Sequence, residues 1–447
     1  MRVSVVEAMP ASPPPSSHTE SQLGETCTDT GDRVTGNGVY RDGGRAIAAS
    51  GASVGADMQP VRSVVKLHGM QRRSTCGYCK TVDGSGCYAM DAMRLSCQNY
   101  QDMIDRGWRR SGGLLYLTDH SDSCCCYYPI RTLALEFKPG SSDKRVLRKW
   151  KRRFGAACID SLLSDTAGAF AERQLRIVID SAEYSDEKYR VFEKYQRVVH
   201  GEDDTTQQGF FEFLCTGPLV HCRQDVPQDV EHLRELLPRG FGPYHMCYYI
   251  DGTLAAVGVI DILPRCVSSV YLFYDPDYSD LSLGSFSAMR EISLVRQLHL
   301  HIPSAKHYYP GYYIPGCSKM TYKSRWRPAE LLDLVSFKWV PIDRCLQRIA
   351  DYPGFCTFDP DLDTRNIVRK QGETAKDAAL ALYSPKQVLD NDTNGLVVWL
   401  AMNGGGRRLR PLLVSDLATV STMYENMALQ AYAAMGRDLA KSMVLLL

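Results

Sequence analysis

The sequence lacks any uninterrupted apolar run long enough for a transmembrane helix, which takes about 20 residues. Its opening segment, residues 1–10, also lacks the apolar core of a secretory signal. We therefore expect a location in the cytoplasm or also in the nucleus, and no membrane partner. In such a reducing compartment, the sixteen cysteines are expected to remain thiols or to bind metal rather than form disulfides.

Two further absences narrow the class of protein. The 52 basic and 51 acidic residues give a formal charge of only +1, so the overall charge indicates no particular partner. No Ser-His-Asp or Cys-His spacing indicates a covalent nucleophile.

Residues 1–60 have few large apolar side chains and are rich in Pro, Ser, Gly and Thr, a composition that predicts disorder.

What the sequence does contain is a strong mixed pattern in the middle of the chain. Asp251-Gly252 separates two apolar runs, which is the strongest short-range signal for a β-hairpin. The run 254–262 predicts a strand buried on both faces, and 267–274 predicts a third strand. After Gly284, apolar residues recur at helical spacing. This order predicts a mixed α/β domain.

Weaker patterns flank this block. Residues 170–179 and 186–200 predict two helices that connect it to the N-terminal part of the chain. Residues 396–401 predict a short apolar strand within a loop-rich region, and 416–447 predict a C-terminal helix that docks on the catalytic core.

Cysteine spacing predicts a metal site. Cys76 and Cys79 form a C-x2-C pair, whose thiolates can share one ion. A second group, Cys124-Cys125-Cys126, follows later in the chain. Together the two groups favour a four-thiolate site, and buried free cysteines are the alternative.

Several stretches of the chain resemble one known protein family. They are 256–264, 266–272, 274–278 and 281–284 in the central block, with 100–102 and 104–112 nearer the N-terminus. They resemble the eukaryotic arginyl-tRNA–protein transferase family. The resemblance implies that Cys76, Cys79, Cys124 and Cys125 hold zinc or an iron–sulfur cluster. Proline is usual in the family where this chain has Cys126, so pairing through Cys125-Cys126 stays open.

Members of this family move arginine from arginyl-tRNA to the α-amine of proteins that begin with Asp, Glu or oxidised Cys, which marks those proteins for ubiquitin-dependent degradation. The resemblance therefore implies arginyl-tRNA and proteins with acidic N-termini as partners. It also implies an α/β (α+β) fold, with a GNAT-like acyltransferase core and a small N-terminal Cys-rich domain. Only Leu283-Gly284-Ser285 stands where coenzyme A enzymes carry a glycine-rich loop, so no coenzyme A is expected.

The expected domain organisation follows from these patterns. The segments are a disordered tail (1–60), a Cys-rich domain (61–150), a helical connector (151–205), a GNAT-like catalytic domain (206–358), a loop-rich insertion (359–410) and a C-terminal helix that docks on the catalytic domain (411–447).

The implied reaction makes three demands on the site. The arginyl guanidinium needs a carboxylate, for which the candidates are Asp275, Asp277 and Glu291. The acidic N-terminal side chain needs a cation, for which the candidates are Arg265, Arg290, Lys319 and Lys323. The tRNA 3′ end needs phosphate donors and stacking surfaces, for which the candidates are Gly284 at the helix start and Tyr308, Tyr309, Tyr312 and Tyr313. Turn formation, solvent exposure and core packing are the alternative explanations for these residues.

The most basic run of the chain, 144–153, is a candidate surface for tRNA phosphates. The candidates are Lys144, Arg145, Arg148 and Lys149, with Arg109, Arg110 and Arg131. A solvated helix is the alternative.

Two other functions remain open from the sequence. One is a coenzyme A-dependent N-acetyltransferase. The other is an inactive RNA-binding adaptor, because Pro310 and Pro315 depart from the residues usual in the family.

Overall fold

The structure is a computed structural model. It describes residues 62–120, 123–164, 171–172, 174–224, 226–227, 229–352, 354–361, 397–402, 408–417 and 419–447. The predicted disordered tail and most of the predicted insertion lie outside these residues. Among the described helices, none combines the length and the apolar character needed to cross a membrane.

Seventeen strands are described, and they form two sheets. In chain order they are β1 (Ser63–Ser74), β2 (Ser85–Ser96), β3 (Arg109–Ser111), β4 (Leu114–Thr118), β5 (Tyr128–Leu133), β6 (Ala171–Glu172), β7 (Leu175–Ser181), β8 (Leu219–Val220), β9 (Gly242–Ile250), β10 (Thr253–Leu263), β11 (Cys266–Tyr274), β12 (His307–Tyr313), β13 (Ala329–Leu332), β14 (Trp339–Pro341), β15 (Val397–Met402), β16 (Arg408–Leu413) and β17 (Met443–Leu446).

The described α-helices are α1 (Cys97–Asp105), α2 (Ser141–Phe154), α3 (Ala156–Leu162), α4 (Asp186–Tyr195), α5 (Gln207–Phe210), α6 (Glu231–Leu236), α7 (Leu283–His299), α8 (Ser318–Thr321), α9 (Ile342–Asp351), α10 (Val414–Leu417), α11 (Thr422–Met435) and α12 (Arg437–Ser442). Two π-helical segments, Gln196–His200 and Phe211–Cys215, and two 3-10 segments, Pro276–Leu281 and Tyr322–Arg325, are also present.

The predicted hairpin is confirmed as β9 and β10. Asp251 and Gly252 both have positive φ, +50° and +83°, as a tight two-residue hairpin turn requires. Ile250 pairs with Thr253 directly across this turn. Ten of the eleven residues of β10 are buried, as expected for a central strand covered on both faces.

A nine-stranded sheet carries the central block, in the order β14-β13-β5-β12-β11-β10-β9-β7-β6. The predicted third strand and the helix after it are confirmed as β11 and α7, and α7 packs on β11 and β12. The prediction of a helix at 170–179 is wrong over 175–179, which belong to β7. This segment pairs with β9, because its run of Leu and β-branched residues suits a sheet.

An eight-stranded sheet joins the two ends of the described chain. Its main order is β16-β15-β17-β1-β2-β4-β3, with β8 pairing to β2. Strand β17 runs parallel to β1, and α11 lies against this sheet. The Tyr88 hydroxyl donates to the carbonyl oxygen of Met427 at 2.9 Å, and the Trp108 indole donates to that of Ala434 at 3.3 Å. The C-terminal segment therefore packs on the sheet that contains the N-terminal strands.

One buried ion pair connects the two sheets. Arg110 of β3 holds Asp261 of β10 through two bonds, Nε to Oδ2 at 2.8 Å and Nη2 to Oδ1 at 2.5 Å. Both side chains are almost fully buried, at 5% and 0% exposure. A two-pronged guanidinium–carboxylate contact fixes both distance and orientation, so it sets the position of β3 against the nine-stranded sheet.

Breaking this pair should destabilise the fold strongly. We expect Arg110→Ala to lower the free energy of unfolding by about 3–5 kcal/mol, since it leaves the Asp261 charge buried and unpaired. The control is Arg153→Ala, which removes a half-exposed pair with Asp251 at 3.2 Å and should cost less than about 1 kcal/mol. Urea unfolding measures both, and equal losses would contradict the assignment.

Candidate functional site: a thiol site beside a buried cationic pocket

Four cysteines come together at one end of the eight-stranded sheet. The sulfur atoms of Cys76, Cys79, Cys124 and Cys125, here named the thiol site, all lie within 4.8 Å of one another. The grouping predicted from the sequence is confirmed. Cys126 is buried away from this group, near Tyr128 and Cys356.

The surroundings of the thiol site lower the pKa of two of its cysteines and raise the pKa of the other two. Burial raises the pKa of Cys76, but hydrogen bonds, first that from Tyr127, outweigh the burial and lower it overall. Hydrogen bonds from Thr81 lower the pKa of Cys79 to about 6. Burial and the neighbouring sulfurs raise the pKa of Cys124 to about 11 and that of Cys125 further. Close thiols of this kind are the donor set that a bound metal deprotonates, so they fit a metal ion.

Two parallel strands separate close to this site. Strands β11 and β12 pair only over three residues each, where Cys266–Ser268 of β11 lie beside His307–Tyr309 of β12. Beyond these residues β11 follows β10 to Tyr274, while β12 follows β5 to Tyr313. We name the opening between them the strand fork. Ligands of open α/β sheets bind at the carboxyl ends of parallel strands, where such an opening lies.

A pair of buried cations, Arg109 of β3 and Lys323 of the 3-10 segment, lies beside β12. We use the name cationic pocket for these two residues together with the part of β12 beside them. Arg109 donates to the carbonyl of Gly311 at 3.4 Å and lies over the rings of Tyr309 and Tyr312, at 5.4 and 5.5 Å from the ring centroids. A Cβ at Gly311 would lie 3.1 Å from Lys323 Nζ, so glycine leaves the ammonium its space.

The cationic pocket has no counter-charge within the described residues. Lys323 is 1% exposed and Arg109 is 6% exposed, yet neither has a carboxylate partner there. Burial, and then the charge of Arg109, lowers the pKa of Lys323 to about 7. Two like charges held together out of water are costly, and an anion would relieve that cost.

Glu291 of α7 lies at the base of the strand fork. Its Oε1 accepts a 2.7 Å hydrogen bond from the Ser287 hydroxyl, and the hydroxyls of Tyr308 and Ser269 lie close to the same carboxylate. Burial raises the pKa of Glu291 to about 7, and the hydroxyls of Ser287, Tyr308 and Ser269 act in the opposite direction. Tyr308 and Ser269 lie on the two strands of the fork, where their parallel pairing ends.

The other two predicted carboxylates share one lysine. Asp275 accepts a hydrogen bond from the Asp277 amide at 3.0 Å, which forms the predicted turn after β11. Lys194 of α4 bonds to Asp275 at 2.6 Å and to Asp277 at 2.8 Å. The turn therefore already holds a cation.

Five of the eleven predicted cations have side-chain partners inside the protein. Arg110 holds Asp261, Arg131 holds Glu330 at 2.7 Å, Arg265 holds Asp102 and Asp105 at 2.5 and 2.7 Å, Lys149 holds Asp280 at 3.0 Å, and Arg290 is buried and donates to Gln297 at 3.1 Å. Arg110 in particular lies in the interior, where it bridges the sheets, and not at the tRNA contact expected for it. Lys319 is exposed.

The remaining candidates for the tRNA end lie in two places. Gly284 is in the first turn of α7, whose N-cap residue Ser282 makes no side-chain capping bond. Tyr308, Tyr309, Tyr312 and Tyr313 are all buried in β12, so their rings pack within the protein. Tyr309 donates to Asp105.

The basic helix α2 divides into a paired side and an unpaired side. Lys151 bonds to Asp160 at 2.5 Å, and Lys149 and Arg153 also have acidic partners. The exposed cations without an acidic partner among the described residues form the cationic stripe: Lys144, Arg145, Arg148 and Arg152. Positions 144, 148 and 152 follow one line along the helix, opposite the buried Trp150.

Sequence reasoning did not single out Tyr127, Arg152 or Lys194. The Tyr127 hydroxyl lies 3.0 Å from the Cys76 sulfur. Arg152 falls within the basic run, and its spacing from Arg148 was a usable signal. No sequence pattern indicates that Lys194 meets Asp275, since the two are 81 positions apart.

Comparison with known proteins agrees with this arrangement. The family described as Arginine-tRNA-protein transferase, N terminus, matches residues 74–145, which contain the thiol site. The family described as Arginine-tRNA-protein transferase, C terminus, matches residues 187–333, which contain the strand fork.

Three relatives illustrate the range of similarity. Arginyl-tRNA--protein transferase 1 of Drosophila melanogaster is 30% identical over 433 residues, covering 68% of this chain and 87% of the relative. The protein of the same name from Arabidopsis thaliana is 42% identical over 59% of this chain and 41% of its own length. An aspartate/glutamate leucyltransferase of Pseudomonas syringae pv. syringae is 28% identical over 60% of this chain and 93% of its own length.

The Drosophila match covers most of both chains, and both family regions occur in the expected order. The chain belongs to the arginine-tRNA-protein transferase family.

Proposed function

We propose that this chain transfers arginine from arginyl-tRNA to the α-amine of proteins whose first residue is Asp, Glu or oxidised Cys. The product would enter ubiquitin-dependent degradation, as the family resemblance implies. The observation that carries the proposal is the cationic pocket: two buried cations, Arg109 and Lys323, without a counter-charge among the described residues.

An acidic N-terminal side chain supplies the missing charge. A carboxylate or sulfonate that enters the cationic pocket gains charge-assisted hydrogen bonds and restores neutrality in a water-poor space. A neutral side chain of the same size would leave both cations unpaired. The name of the Pseudomonas relative, aspartate/glutamate leucyltransferase, supports acidic residues as the acceptor class.

The chemistry places a modest demand on the protein. The α-amine attacks the ester carbon of arginyl-tRNA, a peptide bond forms, the ester bond breaks, and the tRNA hydroxyl leaves with a proton. The ester is already activated, so orientation of the two substrates supplies much of the rate. An α-amine has an ordinary pKa near 8, so a modest local effect deprotonates it.

Glu291 is our candidate for the arginyl group. A buried carboxylate whose hydrogen-bond partners are neutral hydroxyls matches a guanidinium, which donates two parallel hydrogen bonds. The position of Glu291 at the base of the strand fork also supports this role. Asp275 and Asp277 are less suited, because both already bond to Lys194.

The thiol site is proposed to hold zinc or an iron–sulfur cluster. Four cysteine sulfurs within 4.8 Å of one another suit a single tetrahedral ion such as zinc, and cysteine thiolates are also the usual ligands of iron–sulfur clusters. Such a group would fix the loops that carry the two cysteine pairs, and the chemistry above is assigned to other residues of the chain.

The first test removes the charge of Lys323. With arginyl-tRNA and a peptide that begins with Asp, we expect Lys323→Met to raise the peptide KM at least tenfold with a smaller change in kcat. The matched control is Lys319→Met, which removes an exposed charge four positions away and should change KM less than twofold. The proposed function also requires that the parent protein transfers arginine to Asp- and Glu-peptides and not to an Ala-peptide.

The same site predicts a pH dependence with a definite sign. The lowered pKa of Lys323 means that its ammonium is charged below about pH 7 and loses the proton above it. Affinity for the Asp-peptide should therefore fall between pH 7 and 8. Lys323→Arg stays charged and should flatten this dependence. The same fall in both proteins would rule Lys323 out as its source.

The second test examines Glu291. We expect Glu291→Gln to lower kcat/KM for arginyl-tRNA by about 10- to 100-fold, the cost of losing a charged hydrogen bond. Its preference for arginyl-tRNA over leucyl-tRNA should fall by a similar factor. Asp275→Asn serves as the control and should keep the preference. Loss of the preference in Asp275→Asn alone would assign the guanidinium to the turn instead.

The third test concerns the cationic stripe as a phosphate-binding surface. Changing Lys144, Arg148 and Arg152 to Gln should reduce the slope of log affinity against log salt for tRNA by about 2–3, because each phosphate contact contributes about 0.7–0.9. The matched control changes Lys149, Lys151 and Arg153, which are already paired, and should reduce the slope by less than about 1. Equal slopes in the two triple variants would show that α2 is only a solvated helix.

A further inference from the structure

A continuous path of contacts joins the thiol site to the cationic pocket. The Tyr127 hydroxyl lies 3.0 Å from Sγ of Cys76, the one fully buried cysteine of the thiol site. The Tyr127 ring meets that of Tyr312 at 5.8 Å, and Arg109 lies 5.5 Å from the Tyr312 ring centroid. Three successive contacts therefore separate a thiol-site sulfur from a cation of the pocket.

The side chains on this path pack as a unit. Cys76, Tyr127 and Tyr312 form a small buried cluster with Ile314 and Met320, separate from the main core. Met320 belongs to α8, and the segment that follows α8 carries Lys323. Both cations of the pocket thus border the cluster that contains the buried cysteine.

We propose that Tyr127 is a positioning residue that couples occupancy of the thiol site to recognition of the acidic N-terminus. The Tyr127 hydroxyl lies in hydrogen-bond contact with the Cys76 sulfur, so the position of that sulfur fixes the Tyr127 ring. The ring supports Tyr312, which bounds the space beside Arg109. A filled thiol site therefore holds the cationic pocket in the arrangement that binds an acidic side chain.

The coupling must act in both directions. If a metal ion at the thiol site strengthens binding of the acidic peptide by some factor, the peptide strengthens retention of the metal by the same factor. This reciprocity gives a measurement independent of catalysis. The inference rests on the proposed function for its ligand, an acidic N-terminus, but concerns Tyr127 alone.

The experiment follows release of zinc from the zinc-loaded full-length protein to a chromogenic chelator. We expect a saturating Asp-peptide to slow release at least threefold, and an otherwise identical Ala-peptide to have no effect. Tyr127→Phe should still bind one zinc ion but lose the peptide effect. The matched control is Tyr128→Phe, whose hydroxyl contacts Gly354 and Cys356 instead and which should keep the effect.

A second variant covers the case in which Tyr127→Phe no longer binds zinc. Tyr312→Leu removes the ring contact and leaves the bond between Tyr127 and Cys76, so it should also lose the peptide effect. The reverse measurement, Asp-peptide affinity by fluorescence anisotropy with and without zinc, should give the same factor in the parent protein.

The outcomes separate this inference from the proposed function. If the Asp-peptide binds and is arginylated but leaves zinc release unchanged, the coupling is refuted and the function stands. An undiminished peptide effect in both Tyr127→Phe and Tyr312→Leu also refutes it. If the Asp-peptide neither binds nor accepts arginine, both the coupling and the proposed function are refuted.

Discussion

The bond between Arg110 and Asp261 sets the geometry on which the site depends. Successive residues of a strand face opposite sides, so the side chain of Arg109 points away from that of Arg110. With Arg110 held by two bonds to β10, Arg109 is directed towards β12 and Lys323. The buried ion pair therefore does more than hold the sheets together. It also fixes the direction of Arg109, which has no carboxylate partner among the described residues.

Holding the two charges of the cationic pocket together and away from water costs free energy. The protein keeps Lys323 close to Arg109 and out of water, and burial and the charge of Arg109 both lower the pKa of the lysine, which disfavours its charged form. A ligand that brings a negative charge recovers this penalty as binding free energy, while a neutral ligand recovers none. Under the proposed function, selectivity for acidic residues follows from this difference in charge, without any need for close shape matching.

The sequence was informative where local chemistry decides the outcome. Asp251-Gly252 determines its own turn through positive φ, and β10 and α7 follow from apolar periodicity. The thiol site followed from the two cysteine pairs and the family resemblance. The meeting of Arg109 with Lys323 was not predictable, because it depends on packing between residues that are far apart in the chain. The same holds for Arg265 and Arg131, whose partners Asp105 and Glu330 have no local sequence signal.

Strand β12 also separates charges that would otherwise neutralise one another. Tyr308 faces Glu291 and α7, while Tyr309, the next residue, faces Arg109 and Asp105 on the other side. Were Glu291 on the same side as the cationic pocket, it would pair with Lys323 or Arg109, and neither a guanidinium nor an acidic side chain would have a charge left to bind. By placing the carboxylate on one side of the strand and the cations on the other, the sheet keeps the two charges apart. Under the proposed function, each charge is then available to a substrate group of the opposite sign.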